Sequence, residues 1–299
     1  MPQNNKISIR ILIKILIHDF ILFSLWKYKL HHYNGKKNNW GVFVHSFDGY
    51  KRFWRPCLHY IKKHLQIKQP IFLVTEREQM SENFDNFVSL QTGHGSWAKR
   101  LIKGLQMLPK EIEYILYLQE DMWLSNDLSE DTFERIIKMM VEKKLVCVKL
   151  GLGSYDPDTF SNQKNLSEFD LRKIDENFQY FGEKNWSMSH HTSIFRVDYL
   201  LMSLKIAQLF KRDSPFDHES FTCRTLKGKV KAMESDKKIF PIAIFSKSPV
   251  IDYIHASSAG ELTQEAKSKL LKDELTHIYK ENLPGEFFPS RSVSNKKVS

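Results

Sequence analysis

The sequence predicts an α/β domain, a mostly parallel sheet flanked by helices. Two patterns carry that expectation. Apolar runs of strand length recur and end in polar residues, as in Trp40–Val44, Pro70–Val74, Tyr114–Leu118 and Leu145–Leu150. Such runs, with little internal alternation, belong to strands buried on both faces. Between them lie stretches with apolar residues at helical spacing. Strand and helix therefore alternate through residue 150, the order of βαβ units around a parallel sheet.

Taken in order, the chain opens on its most apolar stretch, Ile7–Trp26. As a helix it is long enough to cross a bilayer. Yet Arg10, Lys14 and His18 fall at i, i+4 and i+8 on one stripe, with Asp19 beside them. A helix lying in the membrane surface suits that stripe, with Lys27, Lys29, Lys36 and Lys37 against anionic headgroups. A helix packed on the folded domain and a spanning anchor are the two other readings. No small-residue cleavage pattern follows, so the segment does not read as a signal peptide.

Residues 1–33 thus form an N-terminal helix, and Asn34–Asn39 a polar linker before the domain proper, 40–262. The first strand, Trp40–Val44, ends in His45-Ser46-Phe47-Asp48-Gly49-Tyr50, and a helix is expected over Arg52–Leu65. Pro70–Val74 and Val88–Leu90 are the next strands. The loop Thr92–Ser96 leads into a helix over Trp97–Leu108, closed by Pro109, with Trp97, Leu101, Leu105 and Leu108 on one face. After Tyr114–Leu118, Ser129–Lys143 predicts a helix with Phe133, Ile136, Ile137 and Met140 inward. Gly151–Asn185 is charged and loosely patterned, a long insertion. A short strand and a helix occupy Ser193–Phe210, and Ile239–Phe245 is a last strand-like run. Residues 263–299 hold an amphipathic helix through Leu270, Leu271, Leu275 and Ile278, then a loose tail.

Composition narrows the partners. At 41% hydrophobic, the chain can bury a sizeable core and is not a disordered one. Its formal charge of +10 favours anionic partners such as nucleotides or phospholipid surfaces. The basic residues are scattered, with no stripe interleaved with aromatics, so nucleic acid is not an expected partner. Cys57, Cys147 and Cys223 lie far apart and form no CxxC pair. That pattern argues against a disulfide framework or zinc site and fits a reducing compartment, so the expected location is cytoplasmic, peripheral on a membrane.

The chemistry-bearing residues cluster at strand ends. Tyr114–Leu118 stops abruptly at Gln119-Glu120-Asp121. Carboxylates at the mouth of a buried strand are costly unless solvated, paired or bound to a cation. Hard oxygen ligands there suit Mg²⁺ or Mn²⁺ shared with a substrate's phosphates, while a simple loop start or helix cap is the other reading. Ser46 and Asp48 can meet a nucleotide's base or ribose, or merely make a turn. Trp97 and Arg100 share a helical face, where an arginine could clamp a diphosphate or form a surface ion pair. Asp213-Ser214-Pro215-Phe216-Asp217-His218-Glu219 places three acids and an imidazole at a helix start. One acid could take a proton from a hydroxyl as general base, or all could simply cap the helix. His255 could ligate a metal or serve structure. The neighbours His190 and His191 could line an acceptor pocket, although at strand spacing they point opposite ways.

In this order, SFDGYKRFWRP, IFLVTE, GSWAKRLIKGLQMLP, YILYLQEDMWL, SIFRVDYLL, SPFDHES and IHASSAG resemble sugar-nucleotide-dependent glycosyltransferases of the GT-A fold. The similarity is closest to a group found in bacterial and viral surface-glycan clusters and runs from about Val42 to about Leu262. The resemblance implies a GT-A-like (Rossmann-like) fold and a divalent metal, Mn²⁺ or Mg²⁺, at Asp121 with His255 nearby. Glu120 lies beside the metal, and Ser46, Asp48, Trp97 and Arg100 lie on the nucleotide side. Glu219 matches the catalytic base, with Asp217 as its neighbour. The family's first acid of the Asp-X-Asp motif stands here as Gln119, and its Trp before the base as Phe216. The implied reaction moves a sugar from a nucleotide sugar to a hydroxyl of a glycan or lipid-linked acceptor, with inversion. The alternative is an inactive, membrane-associated binding protein of the same fold.

Overall fold

The sheet grows from Trp40–His45 (β1), whose six residues are all buried. A computed structural model of the chain describes residues 40–80, 86–143, 145–150, 178–180, 190–222, 243–246, 250–258 and 260–276. The expected N-terminal helix, most of the 151–185 insertion and the tail beyond 276 lie outside the described residues.

In chain order, Lys51–His64 (α1) follows β1, then Leu65–Gln66 (β2), Ile71–Thr75 (β3), Phe87–Gln91 (β4) and Trp97–Met107 (α2). Tyr114–Gln119 (β5), Met122–Leu124 (β6), Leu128–Ser129 (β7), Glu130–Glu142 (α3) and Cys147–Lys149 (β8) come next. Phe178–Tyr180 (β9), Ser193–Arg196 (β10), Val197–Leu209 (α4) and a helix over residues 215–222 (α5) precede Ala243–Ser246 (β11). Tyr253–His255 (β12), Ser257–Ser258 (β13), Glu261–Leu262 (β14) and Gln264–Lys272 (α6) complete the described chain.

Among the described residues, eight strands form one sheet in the order β4-β3-β1-β5-β10-β8-β11-β9. β4, β3, β1 and β5 run parallel, and β8 pairs parallel with β11; β10 and β9 run against their neighbours. The expected mostly parallel α/β architecture is therefore present.

Residue alternation explains why these strands are apolar throughout. Val42, Val44, Leu73, Leu116 and Leu118 enter one core with α1, α3 and α6. Phe43, Phe72, Val74, Ile115 and Tyr117 point the other way, into a core with α2 and α4. With helices on both faces, these strands are buried along their length up to Gln119, the half-buried end of β5. Phe133, Ile136, Ile137 and Met140 face inward from α3 as their spacing predicts.

The amphipathic stretch near the C-terminus is shorter than its pattern. α6 stops at Lys272 because Glu274 takes a left-handed conformation (φ 57) and the Leu275 amide turns back to the Leu270 carbonyl at 2.8 Å. Leu270 and Leu275 are buried, while Leu271 is 68% exposed. An α-helix places i and i+1 about 100° apart, so one core face cannot take both Leu270 and Leu271.

Gly104 sets how closely α2 approaches the sheet. A Cβ there would stand 2.9 Å from Val74 Cγ1 and 3.1 Å from Phe43 Cζ. Gly104→Val should therefore cost ~1–3 kcal/mol through overpacking, read as a lower urea midpoint with unchanged far-UV dichroism.

Candidate active site

Chain order puts a crevice beside β1. From β1 the chain moves outward to β3 and β4, then returns to β5 on the other side of β1. Strand ends at such a reversal border the ligand crevice of open α/β sheets. His45 pairs in register with Gln119, so Ser46 and Glu120 leave the sheet side by side.

The pair of acids is tightly framed. Trp54 Nε1 donates to Ser46 Oγ at 2.6 Å, and the Ser46 side chain helps hold the Glu120 carboxyl down against burial. Trp123 Nε1 donates to the Glu120 carbonyl at 3.2 Å, and the Ala256 amide to the Asp121 carbonyl at 2.7 Å. The second contact joins the loop after β12 to the acid pair; His255 lies opposite Met122 in the β12–β6 pairing. Burial, then the charge of Asp121, pushes the Glu120 carboxyl well above the usual range, with Ser46 and Arg100 opposing. Burial likewise pushes Asp121 up from 3.8 to about 6.

The residues expected on a nucleotide side are engaged within the protein itself. Asp48 accepts from the main-chain amides of Glu76, Arg77 and Glu78 at 3.0–3.3 Å, so its carboxylate holds the loop after β3. Arg100, 6% exposed, pairs with Glu76 at 2.9 Å and lies over the Phe47 ring at 5.2 Å. Both residues thus build the wall of the crevice. Trp97, half-buried at the start of α2, packs edge-on against His45 and His190, with ring centroids 5.7 and 4.5 Å away.

Across the crevice, the two acids at the start of α5 diverge. Asp217 accepts from the Ser214 hydroxyl at 2.7 Å, and its amide donates back to Ser214 Oγ at 3.1 Å; Arg212 lies 3.7 Å from its carboxylate. Asp217 therefore belongs to the helix cap. Glu219 instead accepts the main-chain N–H of His190. Burial raises its pKa, opposed by that amide and then by the charge of Lys149. His190 and His191 have different partners, although they lie in the bend before β10 and not in the strand. His190 Nε2 meets His218 Nδ1 at 2.8 Å, whereas His191 Nδ1 meets the Tyr253 hydroxyl at 2.6 Å. His255 lies edge-on to His191 at 5.8 Å and is kept below the ordinary histidine range by burial.

Among the described residues, no three His, Cys, Asp or Glu side chains gather as a protein-only metal cluster. The acid pair still fits a hard divalent cation. Two buried carboxyls whose ionisation is opposed by burial and mutual repulsion gain from a positive partner. Mg²⁺ and Mn²⁺ complete their shells with phosphate and water oxygens and need only one or two carboxylates from the protein.

Two further site residues were not singled out from the sequence. His45 looks like the first loop residue after a strand, yet it is buried and its pKa is held down to about 3 by burial and Arg100. Lys149, 5% exposed, ends β8 and acts on Glu219, His190 and His191. A lysine inside the apolar run Val146–Leu150 is the signal that could have found it.

No family model matches the sequence, and no curated protein does. Solved structures similar to this one include Staphylococcus aureus TarS 1–349, at 12% identity over 81% of this chain and 72% of that one, with a TM-score of 0.44. The same TarS segment in complex with UDP-GlcNAc matches at 9% identity over 84% and 68%, TM-score 0.42. The galactosyltransferase LgtC, in complex with donor and acceptor sugar analogues, matches at 10% over 82% and 98%, TM-score 0.43.

The raised Asp121 carboxyl has a stability signature. The folded chain holds this proton more tightly than the unfolded chain, so stability is fully present below about pH 4 and is lost as pH rises through about 6. In chelator, Asp121→Asn should flatten that decline and raise the urea midpoint at pH 7. An unchanged pH profile would show that Asp121 is not titrating in this window.

Proposed function

We propose that this protein is a glycosyltransferase of the GT-A type. It would move a sugar from a nucleotide-sugar donor to a hydroxyl of a glycan or lipid-linked acceptor, with inversion and with a divalent metal. The observation that supports the reading is that two carboxylate centres, from distant parts of the chain, both act on the buried Tyr117 hydroxyl. Glu120 and Asp121 stand at the mouth of β5, and Glu219 stands on α5, held by the His190 amide.

Each residue then has a task. Glu219 takes the proton of the acceptor hydroxyl as its oxygen attacks the anomeric carbon and the bond to the leaving diphosphate breaks. A carboxyl raised by burial is a stronger base than an ordinary glutamate, while the His190 amide and Lys149 keep it ionisable. Asp121, with His255 alongside, would hold Mn²⁺ or Mg²⁺, which would neutralise charge on the donor's diphosphate. Arg100 adds fixed positive charge on the donor side, and Asp48 and Ser46 keep the strand-end loops in shape. Trp97 offers an aromatic wall to the sugar.

The decisive experiment is a screen of common nucleotide sugars for hydrolysis or transfer, with and without Mn²⁺. Turnover of one donor supports the proposal; silence with every donor and acceptor favours a binding protein of the same fold. Within an active preparation, Glu219→Gln should lower kcat by roughly 10²–10⁴-fold while donor affinity by calorimetry stays the same. Asp217→Asn should be far milder, since that carboxylate serves the cap. An inactive Asp217→Asn beside an active Glu219→Gln would move the base to Asp217.

Membrane association belongs to the same proposal and rests on the charged stripe of Ile7–Trp26. Deleting residues 1–30 should release the protein from anionic liposomes and spare turnover of a soluble acceptor. An insoluble or inactive truncation would assign the segment to the folded core.

A further inference from the structure

Behind Glu219 lies a buried line of polar side chains that the proposed reaction leaves unused. Ser203 on α4 is 6% exposed, His218 on α5 0%, and His190, in the bend before β10, 2%. His218 Nε2 lies 3.1 Å from Ser203 Oγ, and His190 Nε2 lies 2.8 Å from His218 Nδ1.

One contact orders the protons along this line. The Ser203 hydroxyl donates to the Leu200 carbonyl at 2.8 Å, so toward His218 its oxygen can only accept. His218 must therefore carry its hydrogen on Nε2 and present a lone pair at Nδ1. His190 Nε2 is then the donor into that lone pair. Burial keeps both rings neutral, His218 down to about 3 and His190 well below its ordinary value, so each ring has a single hydrogen to give. The line has one consistent direction, from His190 through His218 to Ser203 and Leu200.

This line closes on Glu219. His218 and Glu219 are consecutive, and both hold residue 190: His218 through the ring, Glu219 through the main-chain N–H. Residue 190 lies in a bend outside any strand or helix, so no ladder hydrogen bonds fix its amide; its ring, bonded to His218 and packed by Trp97 and Tyr117, sets its place. We propose that Ser203, His218 and His190 are positioning residues that hold the Glu219 carboxylate toward the acceptor. The proposal rests on Glu219 being the base. The amide bond that fixes its direction also lowers its pKa against burial, so one contact governs both orientation and ionisation.

Ser203→Ala removes the hydroxyl that accepts from His218 and suits a helix. It should lower kcat about ten- to a hundredfold, with donor KM within about twofold, and move the acid limb of kcat to higher pH. Ser203→Thr, which keeps the hydroxyl, should restore both. Unchanged kcat and an unchanged acid limb in Ser203→Ala would overturn the proposal. Independently of activity, nitrogen-15 spectra of the wild-type histidines at pH 7 should show His190 and His218 as neutral Nε2–H tautomers. An Nδ1–H form of His218 would also overturn it. Glu219→Gln separates the two ideas. If that variant turns over normally, the base assignment falls, while the tautomer spectra still report on the line itself.

Discussion

The constraint on which the rest of the site depends is the cost of burying two adjacent carboxyls at the mouth of β5. Ionised carboxylates removed from water are tolerated only with partners. Here the partners come from several distant parts of the chain: the Ser46 hydroxyl, the charge of Arg100, and the Trp123 indole and Ala256 amide on the acids' own carbonyls. None of these fully offsets the burial, since both carboxyls remain raised. Such a pair gains from a cationic partner, which is the place the proposed metal would take.

The double core makes that firmness affordable to the fold. Because β1, β3 and β5 are covered on both faces, their ends cannot shift without disturbing two packed layers. Gly104 lets α2 settle close to Val74 and Phe43, and α2 in turn carries Trp97 and Arg100 to the crevice. Asp48 then ties the loop after β3 to the loop after β1 with three main-chain amides. The walls of the crevice are thus extensions of the core and not separate loops laid over it.

How much of this is legible in the sequence depends on the range of the interaction involved. The parallel strands and α1–α3 can be read because their signals are local: an apolar run, a helical spacing, a proline at an end. Glu120 and Asp121 can be read for the same reason, as acids that interrupt such a run. The true ends of α6 cannot, since a left-handed turn at a glutamate leaves no mark in the apolar pattern. Nor can the tasks of Asp48 and Arg100, whose partners are loop amides and Glu76, 24 to 30 residues away. The contact between His190 and His218 spans 28 residues and needs the fold before it exists.

The acids of α5 show how one short segment divides its labour. Asp217 and Glu219 are two residues apart on a helix, about 200° around its axis, so they cannot serve the same side. The cap takes Asp217, because Ser214 begins the helix and its hydroxyl needs the third residue's amide and carboxylate. That leaves Glu219 turned toward the crevice, with His218 buried between them as an anchor on Ser203. Placement of the helix is fixed further back, where Asp213 accepts from Ser96 and from the Ala98 amide at the start of α2. The same helix start that presents Trp97 thus also positions α5. The starts of α2 and α5 are set relative to each other by Asp213, through both its carboxylate and its carbonyl.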